Sequence, residues 1–178
     1  YLQWCLEFWK SKILSLSTLK NNTYLVNISK KLEELETICS EVFKEMITLI
    51  SSDYPSYETL YDYSRPLPIV FKIIRYKERK ENLGTVPHSD KSALSMILDS
   101  DDSEVNWRIG KGEKLKLSEM FTPFNYPNDR RAKNHTILFP GLCLNEIDID
   151  INPTPHYVKT VDYKKCRHSI VAFLLVPN

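Results

Sequence analysis

An α+β fold is predicted for this chain, with helices first and a β-sandwich or barrel after them. Three observations predict it: apolar residues recur at three- and four-residue steps from Ser29, a Pro- and Ser-rich break follows, and short runs rich in branched and aromatic residues fill the remainder.

The opening "YLQWCLEFWKSKILSLSTL" is apolar, but Glu7, Lys10 and Lys12 interrupt it at helical intervals. It reads as an amphipathic helix of a cytoplasmic protein rather than a signal peptide. From Ser29, a plausible N-cap, the residues Leu32, Leu35, Ile38, Cys39, Val42, Phe43, Met46 and Ile47 alternate with Lys and Glu. That spacing predicts a helix of about five turns with one buried face. "SSDYPSYETLYDYSRPLP" supplies the Pro, Ser and Asp that end it.

The strands expected next are "IVFKIIRY" (69–76), "ALSMIL" (93–98), "EVNWRI" (104–109), "EKLKL" (113–117), "HTILF" (135–139), "LCLNEI" (142–147), "HYVKT" (156–160) and "SIVAFLLV" (169–176). "IGKGE" is a hairpin-turn candidate between two of them.

With 178 residues, 42% apolar and 26% charged, the chain is long enough for one domain with a sizeable core. Lys and Arg number 24 against 23 Asp and Glu, so no overall field recruits nucleic acid or an anionic membrane. Cys5, Cys39, Cys143 and Cys166 form no CxxC pair, which argues for reduced, mostly buried thiols. The four Gly form neither GxGxxG nor GxxxxGK, so a phosphate-cradling loop is unsupported. Asn21, Asn27 and Asn134 begin N-x-S/T triplets that read as chance. The chain opens on Tyr1 rather than Met, which leaves open whether it is a fragment.

Chemistry concentrates in "GTVPHSDKSALSMIL" (84–98). With four His in the chain, that one of them is followed two positions later by Asp arises by chance about one time in five at ordinary composition, so the pair alone discriminates little. On a strand, however, His88 and Asp90 would project from one face and could meet a metal ion together. His156, heading "HYVKT", is the obvious third ligand. Two His and one carboxylate with open positions suit non-haem iron(II). In "KKCRHSIVAF", Arg167 and Ser169 are again two apart at the entry of an apolar strand, with His168 pointing the other way. A guanidinium beside a hydroxyl suits a carboxylate.

In this order, H-x-D, a distal His and R-x-S resemble the iron(II)- and 2-oxoglutarate-dependent dioxygenases, in the branch containing isopenicillin N synthase and the plant-type hydroxylases. The resemblance covers roughly residues 30 to 176 and includes "RPLPIVFKIIRY" and "ILFPGLCLNEI". It implies an α+β, mainly β fold: a double-stranded β-helix, or jelly roll, preceded and flanked by N-terminal helices. A single domain over 1–178 would then comprise a helical support over 1–65 and the jelly-roll core over 66–178.

By the same likeness His88, Asp90 and His156 would hold Fe(II), and Arg167 and Ser169 would receive the far carboxylate of 2-oxoglutarate. Tyr76 matches a family Tyr that contacts this cosubstrate. The implied reaction uses O₂, releases succinate and CO₂, and hydroxylates, desaturates or cyclises a substrate. A small molecule is favoured and a peptide side chain stays open, with neither nucleic acid nor membrane as partner.

The stretch over 99–134, between the metal motif and the distal His, has no clear counterpart in the family. Nucleic-acid dealkylating relatives carry a second Arg six positions after the first, where this chain has Phe173. Other readings are an oxidase of the same fold that does not use 2-oxoglutarate, and a non-enzymatic jelly-roll binding module. Zinc hydrolysis would leave Arg167 and Ser169 unexplained.

Overall fold

A computed structural model of the chain describes residues 23–57, 59–76, 88–100, 106–110, 121–123, 136–147, 150–159 and 167–177. The amphipathic segment 1–19, the run 113–117 and the turn beyond Gly110 lie outside them.

Helix α1 is described over Thr23–Asp53. It therefore runs through Ser29, which is not a cap: Leu25 and Ile28 carry the apolar spacing of Leu32 and Leu35 further back in the sequence. Pro55 ends it as expected, and Pro55–Tyr57 form a 3₁₀ turn. Cys39, Phe43 and Ile47, four residues apart, make the buried line of the helix. Ile38, expected on that face, is instead 56% exposed. It sits about 100° around the helix from Cys39.

Among the described residues seven strands and one short helix follow: β1 (Ile69–Tyr76), β2 (Leu94–Ser100), β3 (Asn106–Gly110), β4 (Phe121–Pro123), β5 (Ile137–Pro140), α2 (Leu142–Ile147), β6 (His156–Lys159) and β7 (Arg167–Leu174). The segment "LCLNEI", read above as a strand, is helix α2. Its alternating Leu residues mimic a strand, but long-range bonds decide its form. The N–H groups of Gly141, Leu142 and Cys143 donate to the carbonyls of Ala93, Asp90 and Ser92 at 2.8, 2.7 and 3.2 Å, taking up donors that a helix start leaves free.

The strands pair antiparallel in two sheets, one ordered β1-β7-β2-β5 and the other β4-β3-β6. His88 forms a single antiparallel bridge to His156 and so extends the smaller sheet beyond β6. The two faces of the larger sheet have different partners. Ile69, Phe71, Leu94, Met96, Ala172 and Leu174 pack with the buried line of α1, while Ile97, Phe139 and Val171 form a second cluster. Alternation along β2 and β7 produces this division.

Two buried tyrosines join the layers. Tyr57 donates its hydroxyl to the Leu144 carbonyl at 2.6 Å, and Tyr61 donates to that of Leu175 at 3.0 Å. Among the described residues no helix is long and apolar enough to cross a membrane.

Burial pushes the Cys39 thiol up to about 11, so it stays protonated and inert at neutral pH. Iodoacetamide should leave Cys39 unmodified in the native protein and alkylate it in denaturant, as read by peptide mass spectrometry. Native labelling at Cys39 would show that α1 does not cover the sheet.

Candidate metal centre

The bridge between His88 and His156 builds the centre from backbone geometry. The His88 N–H donates to the His156 carbonyl at 2.9 Å and the reverse bond is 2.8 Å. Residues opposed in this way stand on the same side of the sheet. Their rings accordingly lie with centroids 4.5 Å apart.

Asp90 lies in the irregular segment between the His88 bridge and β2, and not on a strand with His88 as expected above. The three side chains still meet at one point. Asp90 Oδ1 is 3.3 Å from His88 Nε2, and Oδ2 is 3.8 Å from His156 Nε2. One ligand atom from each of the three residues lies within 4.8 Å of the others.

Around these three side chains the hydrogen bonds set orientation and charge. His156 Nδ1 lies 3.0 Å from the Thr154 carbonyl. A carbonyl can only accept, so Nδ1 carries the proton and Nε2 keeps its lone pair for the cluster. Thr154 is held in turn by its N–H, which donates to the Pro140 carbonyl at 3.1 Å. Phe139 sets its ring edge-on to His156, 4.8 Å between centroids.

Asp90 accepts the Ser95 hydroxyl at 2.6 Å, and Ser95 Oγ is 2.8 Å from Ser92 Oγ. Burial alone would raise the Asp90 carboxyl. The hydrogen bond from His88, the positive charge that His156 carries when protonated in acid and the Ser95 hydroxyl outweigh it and hold Asp90 below the usual carboxylate range. Burial also lowers His156, more than Asp90 raises it. An ionised carboxylate beside a neutral imidazole is the protonation state that a metal site requires.

A divalent ion fits this donor set. Bonds of about 2.0–2.2 Å set at right angles place neighbouring ligand atoms ~3 Å apart, close to the 3.3 Å between His88 and Asp90. Two imidazoles and one carboxylate on one side suit iron(II) with positions to spare.

The second expected group is on β7. Ser169 is buried, opposite Ile74 of β1 and Ser100 of β2, and the neighbouring His168 is exposed, as the alternation predicted. Arg167 and Tyr76 are direct partners in the β1–β7 register, and their side chains lie outside the described residues. Sequence reasoning missed Ser92, Ser95, Thr154, Phe139 and Gly141. Serines ahead of a strand look like turn chemistry, and no local pattern marks the others.

No protein-family model and no curated protein matches the chain. Solved structures do. A full-length Neurospora crassa protein in complex with α-ketoglutarate aligns with a TM-score of 0.64 at 14% identity, over 86% of this chain and 48% of that one. The rice dioxygenase for auxin oxidation aligns at 0.61 and 15%, over 86% and 48%. JOX2 in complex with 2-oxoglutarate, iron and JA aligns at 0.59 and 16%, over 88% and 43%. The chain has the fold of the iron- and 2-oxoglutarate-dependent dioxygenases. It spans about half the length of these solved structures.

Within this dioxygenase fold Gly141 holds the closest approach. A Cβ there would collide with the Ser92 carbonyl oxygen, and would lie 2.8 Å from Ser92 Oγ and 2.9 Å from the Asp90 carbonyl oxygen. Because the obstacle is backbone, Gly141→Ala must displace the 90–93 loop, at about 1–3 kcal/mol. Its melting temperature should fall by several degrees, and the folded fraction should bind divalent metal more weakly than wild type. Phe43→Ala, on the α1 side of the sheet, should lower the melting temperature by more and leave metal affinity of the folded protein unchanged. Calorimetry with metal titration reads both effects.

Proposed function

We propose that this chain is a non-haem iron(II), 2-oxoglutarate-dependent oxygenase that hydroxylates, desaturates or cyclises a small organic substrate. The observation that carries the reading is the His88, Asp90 and His156 cluster on a dioxygenase fold. Strand order supports it. Taking His88 as a one-residue strand, successive strands alternate between the two sheets except at the β3–β4 hairpin, the winding of a jelly roll. The domain then spans 1–178, with a helical support over 1–65 and the jelly-roll core over 66–178.

His88, Asp90 and His156 would hold the iron. When bound, iron(II) with 2-oxoglutarate supplies oxidation of a substrate C–H bond by O₂, with release of succinate and CO₂. The chain's residues supply placement. Thr154 fixes the His156 tautomer, Ser95 holds the Asp90 carboxylate, and Phe139 shields the inner edge of the His156 ring from water. We assign Arg167 and Ser169 to the distal carboxylate of 2-oxoglutarate and Tyr76 to a further contact with it. The direct register of Arg167 and Tyr76, with Ser169 two residues along β7, supports that assignment.

Anaerobic titration should show one iron(II) per chain. His88→Ala, Asp90→Ala and His156→Ala should each weaken it by more than the roughly 10–100-fold that loss of an outer-shell partner costs. With iron bound, pools of small organic compounds should include some that stimulate release of succinate from 2-oxoglutarate. Wild-type affinity in the three variants would refute the site. Iron binding with no succinate under any condition would favour an oxidase that does not use 2-oxoglutarate.

A further inference from the structure

The two oxygens of the Asp90 carboxylate have different neighbours. Oδ1 faces His88 Nε2 at 3.3 Å, whereas Oδ2 accepts the Ser95 hydroxyl at 2.6 Å and stands 3.8 Å from His156 Nε2. A hydroxyl has one proton, and an ionised carboxylate only accepts. The Ser95 proton is therefore committed to Asp90. It follows that the 2.8 Å contact between Ser92 Oγ and Ser95 Oγ has Ser92 as its donor.

The result is a one-way relay from Ser92 through Ser95 to Asp90, with Ser92 1% and Ser95 0% exposed. Water cannot replace either hydroxyl without rebuilding the strand entry. The relay is anchored at its far end, because the Ser92 carbonyl accepts from the Cys143 N–H at 3.2 Å. At its near end it restrains a soft torsion: the final bond of an Asp side chain has a broad, roughly two-fold profile. His88 on Oδ1 and Ser95 on Oδ2 fix the carboxylate's rotation together, and once a metal takes His88 Nε2 the Ser95 hydroxyl is the hydrogen bond that stays on it.

We propose that Ser95, backed by Ser92, restricts Asp90 to one metal-binding oxygen, Oδ1. This inference rests on the iron reading above. It matters because a carboxylate that binds through both oxygens would occupy one of the three positions that a 2-oxo acid and O₂ need. Ser95 is a positioning residue, which acts through Asp90.

The test uses the intact chain with iron(II) and 2-oxoglutarate under anaerobic conditions. Its readouts are iron stoichiometry and the visible charge-transfer band of a 2-oxo acid chelated to iron(II). Ser95→Ala should still bind one iron, while its affinity for 2-oxoglutarate, read from the band, falls about tenfold. Ser95→Thr, which keeps the hydroxyl, should restore the wild-type band and affinity, and Ser92→Ala should lie between.

Wild-type iron and 2-oxoglutarate affinities in Ser95→Ala would overturn the proposal. So would a folded Ser95→Ala that no longer binds iron, since that would make the hydroxyl necessary for ligation itself. Should Ser95→Ala not fold, a Ser92→Ala protein with the wild-type band and affinity overturns it instead. Absence of iron in the wild-type chain is a separate failure, of the reading beneath.

Discussion

A carboxylate has to remain ionised while largely withdrawn from water, and the architecture around the metal centre is organised by that need. An unpaired buried charge would cost several kcal/mol. Asp90 avoids this cost with His88 on one oxygen and Ser95 on the other. Its own backbone is held as well, by the Leu142 N–H on its carbonyl. Helix α2 thus acts less as a helix than as a row of donors. Three consecutive N–H groups, from Gly141 to Cys143, are used by the segment that carries the ligand. Gly141 is required because that row presses on the Ser92 backbone where a Cβ would stand.

The larger sheet separates stability from chemistry. Its α1 side is filled by Phe43, Ile47, Leu94, Met96 and Leu174, and its other side carries the cluster of Ile97, Phe139 and Val171. Phe139 connects that second side to the metal centre through its edge contact with His156. A change beneath α1 reaches the cluster through the strands and through Leu144 of α2, which shares that core. Strand β2 is the most direct route, since Leu94 and Met96 face the helix while Ser95 between them reaches Asp90. Its alternation links the core to the carboxylate in one-residue steps.

What was legible in the sequence depended on the range of the interactions involved. The buried line of α1 is local and periodic, so Cys39, Phe43 and Ile47 could be placed by spacing alone. His88, Asp90 and His156 were legible as candidates because few residue types serve as metal ligands, and the structure brings them together. Their convergence came from the bridge between His88 and His156, a contact between distant stretches of chain that no spacing rule contains. The same limit explains the error at 142–147. Leu142 and Leu144 alternate as in a strand, yet the segment is a helix because its first donors meet the 90–93 loop. Ser92 and Ser95 carried no signal, since a buried hydroxyl has meaning only once its acceptor is known.

The three ligands are not equivalent in their access to solvent. The His88 side chain is 41% exposed, whereas those of Asp90 and His156 are 11% and 7% exposed. The centre therefore opens on its His88 side and is closed behind His156, where Phe139 and the Thr154 carbonyl stand. Phe139 and the Thr154 carbonyl meet His156, and the Ser95 hydroxyl meets Asp90, so these three residues act on the two more buried side chains of the cluster. By the resemblance drawn from sequence, the chain departs furthest from the dioxygenase pattern over 99–134. None of Ser95, Phe139 and Thr154 falls in that stretch, so the groups that orient the cluster and the sequence that departs from the pattern can change independently.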